Sequence, residues 1–391
     1  MSVTIFALML GVFCLGTAEI VISGLLPLVA ENLAVSLPSA GLLVTGYALG
    51  VTIIGPFVTL LTSQVPRKTL VLGLMVPFIL GNIAAVLAPD YQTLMAARIF
   101  SSISHGTFVA VAFSLAVTLS PANKQGSAMA KIALGFNLAN ALGAPLGTYI
   151  GQSMGWRTTF LAIVLVATFS VALLAAFMPS RTPGSEQRKP GAIRRELREL
   201  TQAKIMFAVI TTVLAQGAVF TASTYVVPLL MEVSHFSASA VSALLVLFGI
   251  GAIIGNFAGG RLADKHVMRG VTTVLGCLVL VLILFWMTST VPVLSAMTLF
   301  LFGVIGFSII PSLQARIQSV AIAAPTLALS VNVSAFNLGN GLGAWLGGEV
   351  IDLGFGVRAV PLAAAVLAAI SLSITVLMWR YQSKGLQACK S

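Results

Sequence analysis

Three residues of this 391-residue chain could carry proton chemistry in surroundings that offer little else: Glu19, Arg98 and His105. Each lies inside a long apolar stretch, where a charge costs about 2.5–3.5 kcal/mol even on the lenient insertion scale, so each needs a reason to be there. Hydrocarbon around Glu19 and a guanidinium near it would pull its protonation equilibrium in opposite directions, leaving the acid poised to change state when its neighbour moves. Glu19 lies some 10 residues from the far end of the first apolar stretch and Arg98 about 6 from the far end of the fourth. At ~1.5 Å per residue their Cα depths differ by about 6 Å, within reach of an arginine side chain. His105 follows Arg98 by about two helical turns on the same face, nearer the membrane centre; an imidazole with an ordinary pKa of about 6.5 suits a proton relay or a hydrogen bond to a solute. The competing readings are a static buried ion pair, a carboxylate that binds solute directly, and a neutral histidine that only donates to a carbonyl.

The elements that must position these groups are membrane helices. The chain is 58% apolar and 8% charged, with a mean hydropathy of +1.05, whereas soluble domains carry about 25% charged residues. Twelve apolar stretches recur from 3–29 to 358–379, the fifth over 127–152 and the eleventh over 326–350, each near the ~20 residues that cross hydrocarbon. The alternating segments of about ten residues that a β-barrel needs are absent. The start, MSVTIFALML, has no basic leader and reads as a retained span.

The net charge of +11 does not point to nucleic acid, because 18 of the 21 Lys and Arg residues fall at the chain ends or at even-numbered turns if the first span starts inside. That asymmetry puts both termini in the cytoplasm. The exceptions are Arg98, Arg157 and Arg358. Cys14, Cys277 and Cys389 show neither a disulfide framework nor ligand spacing, and no metal or cofactor is expected.

The sequence also repeats itself. FNLANALGAPLG from Phe136 and FNLGNGLGAWLG from Phe336 share nine of twelve residues; Ala139/Gly339 and Ala141/Gly341 exchange small residues, and Pro145/Trp345 does not. An offset of 201 aligns Pro27 with Pro228, Glu31 with Glu232, Ser36 with Ser237 and Gly50 with Gly251. Six spans separate the copies, so both cross in the same direction, the parallel repeat of transporters that bind solute between two halves. The expected division is an N-terminal half over 1–179, a basic cytoplasmic linker over 180–202 and a C-terminal half over 203–391. In the linker, Ile193, Leu197 and Leu200 among Arg194, Arg195 and Arg198 suit either a helix on an anionic leaflet or a solvated tether. Gly135, Ala139 and Gly143, and Gly339, Gly343 and Gly347, recur every fourth residue and form flat stripes for a neighbouring backbone, while Asn137, Asn140, Asn337 and Asn340 can bond between helices.

These motifs resemble the major facilitator superfamily, and within it the bacterial 12-span drug:proton antiporters. LGAPLG followed by GWRTTF from Gly155 resembles the antiporter signature of span 5. GGRLADKHVMRG resembles the family's G-x-L-A-D-R/K loop with Gly260, Leu262, Ala263, Asp264, Lys265 and Arg269 in place, whereas the first-half copy has Ser63 where an acid is expected. LMAARIFSSISHGTF is similar to the buried-arginine pattern of span 4, with serines where glycines often sit. GTAEIVISGLLP, SHGTF and FNLGNGLGA are closest to the branch with chloramphenicol, arabinose-related and purine-nucleoside exporters.

The resemblance implies an all-α polytopic fold of two six-helix halves in the inner membrane. It also implies that spans 1 and 4 are neighbours, so that Arg98 can pair with Glu19; Glu19 is then expected to carry the proton, Arg98 to tune it and His105 to relay. The second half has no counterpart charges, since Glu19 maps to Phe220 and Arg98 near Leu299. Solute contacts are expected from Tyr47, Phe108 and Asn137 of the first half, and from Gln216, Phe220, Tyr225, Met297, Phe300, Phe307 and Asn337 of the second, a mostly apolar wall with a few polar handles. Gating or packing roles go to Gly143, Pro145, Gly147, Gly260, Asp264, Arg269, Gly343 and Gly347. The expected function is proton-coupled export of an uncharged or amphiphilic drug, sugar derivative or nucleoside by a monomer. A sugar symporter and a non-transporting sensor are the alternatives. No HExxH, no GxSxG in a strand-turn-helix setting and no phosphate loop occurs, which leaves enzymatic and ATP-driven readings without support.

Overall fold

A computed structural model describes residues 3–62, 64–121, 124–179, 202–321 and 325–388. The expected linker helix and Ser63 lie outside these. Among the described residues every regular element is helical, as hydrocarbon demands of backbone that cannot bond to water. The main helices are α1 (Val3–Asn32), α2 (Leu37–Leu61), α3 (Arg67–Leu87), α4 (Tyr91–Ser102), α5 (His105–Thr118), α6 (Gln125–Leu138), α7 (Ala144–Met154) and α8 (Trp156–Phe177), then α9 (Ala203–Thr224), α10 (Ala238–Lys265), α11 (Val267–Thr288), α12 (Pro292–Val320), α13 (Pro325–Val350) and α14 (Val360–Ala388). Helices α4 and α5 run through one apolar stretch, and among the described residues ten stretches are long and apolar enough to cross a membrane. The expected fifth and eleventh spans coincide with α6–α7 and with α13.

The chain forms two compact units. The first holds the described residues of Met1–Gln187 with Val226–Pro228 and Ser237–Gly249; the second holds those of Arg188–Tyr225, Leu229–Phe236 and Ile250–Ser391. In the first unit α1 is buried on nearly all sides, as expected of a helix apolar all round. Polar atoms along the helices are satisfied locally: Thr52 and Thr59 donate to Ala48 O and Gly55 O, the back-bonding open to hydroxyls one turn on.

Two helix breaks shape the first unit. Between α4 and α5, Ser101 and Ser102 donate to the carbonyls of Arg98 and Ile99, at 2.9 and 2.7 Å, and Ser104 donates to Leu74 O of α3. Serine hydroxyls thus occupy backbone acceptors where the helix is interrupted, and His105 opens the next segment. Between α6 and α7, Ala139–Gly143 is a single π turn in which Ala144 N–H bonds Ala139 O. Pro145, at the start of α7, has no N–H for the carbonyl four residues earlier, which favours such a bulge. The second copy has Trp345 at this position, and α13 continues unbroken to Val350. Gly155, at φ +89°, makes the one-residue turn from α7 to α8, a conformation that glycine adopts without strain.

Candidate functional site

Four helices of the first unit bring the site together. Glu19 of α1, Arg98 of α4 and His105 of α5 are 7%, 1% and 3% exposed, and Tyr47 of α2 is fully buried. His105 Nε2 faces Glu19 Oε2 at 3.7 Å, and its Nδ1 is 3.1 Å from the Tyr47 hydroxyl. The Arg98 guanidinium lies over the Tyr47 ring at 4.3 Å, a cation–π contact. Its Nη1 donates to Ala18 O and its Nη2 to Glu19 O at 3.4 Å. Phe136 of α6 stacks on the imidazole with centroids 5.9 Å apart.

The sequence expectation placed Arg98 against the Glu19 carboxyl. The structure brings the three ionisable residues together as expected, but distributes their contacts differently: the guanidinium is anchored on α1 backbone carbonyls, and the imidazole makes the close contact to the carboxyl oxygen. An arginine fork matches two carbonyls one residue apart, and His105, the first residue of α5, lies beside Glu19. Arg98 Nε is buried without a hydrogen-bond partner. Tyr47, expected as a solute contact, lies against both Arg98 and His105, a juxtaposition that the sequence did not reveal. Nothing in spacing tells which face of α2 meets α5.

The small-residue stripes meet the first helix of each unit. Gly16 of α1 faces Phe136 and Ala139, Gly143 faces Thr17, and Gly147 faces Val21 and Thr159. In the second unit Gly339 lies against Val213 O and Gln216, Gly343 against the backbone of Gly217 and Thr221, and Gly347 against the Tyr225 ring. Pro145 and Phe108 are buried, the latter's ring packed on Gly11, and Asn137 is half-buried.

The second unit brings amides and a hydroxyl together between α9 and α13. Gln216 Nε2 donates to Asn340 Oδ1 at 3.0 Å, Thr212 to Asn332 Oδ1 at 2.8 Å, and Asn337 Nδ2 to Val333 O at 3.0 Å. Gln216 Oε1, Asn337 Oδ1 and Asn332 Nδ2 are buried and unpartnered. Phe220 is buried beside this seam on α9, while Tyr225 is tied up by donating to Ala344 O at 3.1 Å. On α12, Phe300 and Phe307 are half-buried and Met297 is 60% exposed, so the expected α12 wall is not part of the buried seam. Asp264 and Arg269 are exposed, and Gly260 has open space around it. Among the described residues Asp264 enters no ion pair within 4.0 Å. No group of His, Cys, Asp and Glu suited to a metal ion occurs among the described residues.

The exceptions to the charge asymmetry also find partners. Arg157 donates to Asn32 Oδ1 and Ala88 O at 2.8 and 2.7 Å and stacks on Trp156 at 4.2 Å, tying the ends of α1 and α3 to α8. Arg358, its copy at the repeat offset, lies over Trp286 at 5.9 Å.

These features define a polytopic helical membrane protein with ionisable groups held in its interior. The sequence profile of the Major Facilitator Superfamily matches residues 8–327. The chain is 38% identical to the inner membrane transport protein YdhP of Escherichia coli (strain K12), over 97% of this chain and 96% of that one. It is 30% identical to the "Probable sugar efflux transporter" of Pasteurella multocida (strain Pm70), over 94% and 90%. The fold superposes on the crystal structure of a bacterial homolog to the human lysosomal transporter Spinster with a TM-score of 0.80, at 16% identity over 96% of each chain. The chain therefore belongs to the Major Facilitator Superfamily, and it is a multi-pass membrane transporter rather than an enzyme.

Proposed function

We propose that this transporter exports a small uncharged or amphiphilic solute from the cytoplasm, across the inner membrane, in exchange for protons. The observation that carries the reading is the buried Glu19–His105 contact flanked by Arg98. A carboxyl group enclosed by protein and lipid, next to a fixed cation, changes its net interactions when it gains or loses a proton. That change biases one arrangement of two duplicated six-helix halves over another, and a coupled transporter needs such a two-state element. The proposal takes the halves as 1–179 and 203–391, joined by the basic linker, with both termini cytoplasmic and the monomer as the working unit.

The solute class follows from the second unit. Its seam has no charged member, and the unpartnered Gln216 Oε1, Asn337 Oδ1 and Asn332 Nδ2 are groups that a solute's hydroxyls or amides could satisfy. A buried polar group left unmatched costs about 1–3 kcal/mol. A phosphate or dianion would call for cations there. The name of the Pasteurella relative, a sugar efflux protein, is consistent with an uncharged polar cargo.

The test uses purified protein in liposomes with an imposed pH gradient, offered a thiogalactoside, a purine nucleoside and chloramphenicol in turn. Export driven by the gradient in the wild type, lost in Glu19→Gln while solute counterflow persists, is the expected result. Undiminished gradient-driven flux in Glu19→Gln removes the coupling role. Flux in the same direction as the proton identifies a symporter, and binding with no flux identifies a sensor.

A further inference from the structure

We infer that Tyr47 is a positioning residue of the proton path, the group that keeps His105 Nδ1 hydrogen-bonded in both tautomers of the imidazole. The inference rests on the coupling role proposed for Glu19 and adds to it a residue whose sequence-based assignment was solute contact.

Every part of the Tyr47 side chain is committed within the first unit. Its ring supports the Arg98 guanidinium at 4.3 Å, its hydroxyl lies 3.1 Å from His105 Nδ1, and it is fully buried. The imidazole is held edge-on to the Tyr47 ring, with centroids 5.8 Å apart, and is stacked on Phe136. With Nδ1 directed at Tyr47 and Nε2 at Glu19, the two ring nitrogens have different partners. A neutral imidazole has one donor and one acceptor nitrogen, and the partner of one decides the state of the other.

While Glu19 is a carboxylate it can only accept. Nε2 then carries the hydrogen, and the Tyr47 O–H donates to bare Nδ1. Once Glu19 is protonated its O–H donates to Nε2, Nδ1 carries the hydrogen, and the Tyr47 oxygen accepts. A hydroxyl serves both states by rotating, because it is donor and acceptor at once. The passage between them balances: one proton arrives at Nδ1, the Nε2 proton moves to Glu19 Oε2, and the net change is one proton on the acid with the imidazole neutral before and after. No second cation is then left beside Arg98. The transfer needs Nε2 and Oε2 to close from 3.7 Å to hydrogen-bond range, about 3.2 Å or less.

The groups facing the imidazole are Glu19 from α1, Tyr47 from α2, Arg98 from α4 and the uncharged Phe136 ring from α6. From α3, the Leu74 carbonyl holds the neighbouring Ser104.

The direct experiment uses the full-length protein with His235→Gln and His266→Gln, which leaves His105 as its single histidine, labelled with ¹⁵N. At alkaline pH the wild-type Tyr47 background should show one tautomer, with the proton on Nε2; a proton on Nδ1 there overturns the inference without any change at Tyr47. Tyr47→Phe keeps the ring under Arg98 and removes only the oxygen. It should keep the proton on Nε2 but shift the Nδ1 resonance to that of a nitrogen without a hydrogen bond, and lower pH-driven transport by about tenfold or more, with a displaced pH profile and counterflow unchanged. A wild-type Nδ1 resonance and pH profile in Tyr47→Phe refute the role. Equal loss of counterflow and pH-driven transport with an unaltered ¹⁵N spectrum returns Tyr47 to the solute site. Glu19→Gln separates the two levels: if it still couples, the parent reading fails, whereas loss of coupling in Glu19→Gln beside a normal Tyr47→Phe defeats the Tyr47 role alone.

Discussion

The duplicated glycines Gly143 and Gly343 look equivalent in the sequence, yet replacing each by alanine should have different consequences. At Gly343 a methyl group would lie 2.9 Å from Thr221 N and 3.0 Å from the Gly217 carbonyl carbon, and closer still to the Gly217 oxygen. All three atoms are backbone, so no rotamer change relieves the clash and α9 must move off α13. Overpacking costs about 1–3 kcal/mol, and a rigid obstacle puts this site at the upper end. Alanine returns about 1 kcal/mol of helix propensity. The net loss is about 2 kcal/mol, roughly thirtyfold in the folding equilibrium. At Gly143 the obstacle is the Thr17 side chain, with its methyl and Cβ at 3.0 and 3.1 Å and its hydroxyl nearer. That hydroxyl has no hydrogen bond to lose. Turning it aside costs about 0.5–1.5 kcal/mol, which the propensity gain nearly cancels. Gly276, with nothing within 4 Å, is the control and should be neutral or slightly stabilised. Unfolding by SDS titration in mixed micelles, followed by circular dichroism, measures all three. Equal losses at Gly143 and Gly343, within about 0.5 kcal/mol, would refute the reasoning.

Other sites give independent checks. Asn337→Leu removes an oxygen that has no partner in the protein; stability should hold or rise while solute affinity falls about tenfold or more, the equivalent of one lost hydrogen bond to a buried polar atom, read by solute binding beside a thermal melt. Asp90 caps α4 by accepting from Thr93 N at 2.8 Å, and that backbone N–H holds its carboxyl below the ordinary 3.8. A depressed folded value means that the cap's contribution is complete above 3.8 and is lost as pH falls through the folded value. Asp90→Ala should therefore lower the melting temperature near neutrality and have less effect in strong acid, with Asp90→Ser preserving the cap at both.

Much of this arrangement was legible because a membrane interior makes exceptions conspicuous. Long apolar stretches announce the helices, and in such stretches Glu19, Arg98 and His105 stand out by cost alone. Which atoms they touch was not legible. The pairing of Nε2 with Glu19 and of Nδ1 with Tyr47 lies beside a helix break at which three serines bond to carbonyls, and serine is too common for its presence to mark a break. Tyr47 reads as one more aromatic on an apolar helix, and nothing in the sequence separates the exposed Met297 from the buried Gln216. The amide seam was half visible: Gln216 and Asn337 stood out, but Asn332 gains meaning only opposite Thr212.

The repeat shows why packing and chemistry can diverge within one fold. Both units seat their first helix on a stripe of small residues, but Gly143 meets the side chain of Thr17 whereas Gly343 meets the backbone of Gly217 and Thr221, so the two copies of one glycine pack against different obstacles. Pro145 against Trp345 has a similar consequence: the ring that lacks an N–H bends span 5 into a π turn, while tryptophan leaves α13 regular. Neither difference disturbs the shared architecture, because each is absorbed within one helix pair. The polar groups are equally local. In the first unit an acid faces an imidazole while a guanidinium bonds backbone carbonyls, and in the second uncharged amides line one seam, so each set can be tuned without an unpaired charge appearing in the other. If the proposed proton site and solute site share a scaffold but no side chain, they can be coupled only through movement of the scaffold. Variants at Glu19 and Asn337 should therefore change coupling and solute affinity separately.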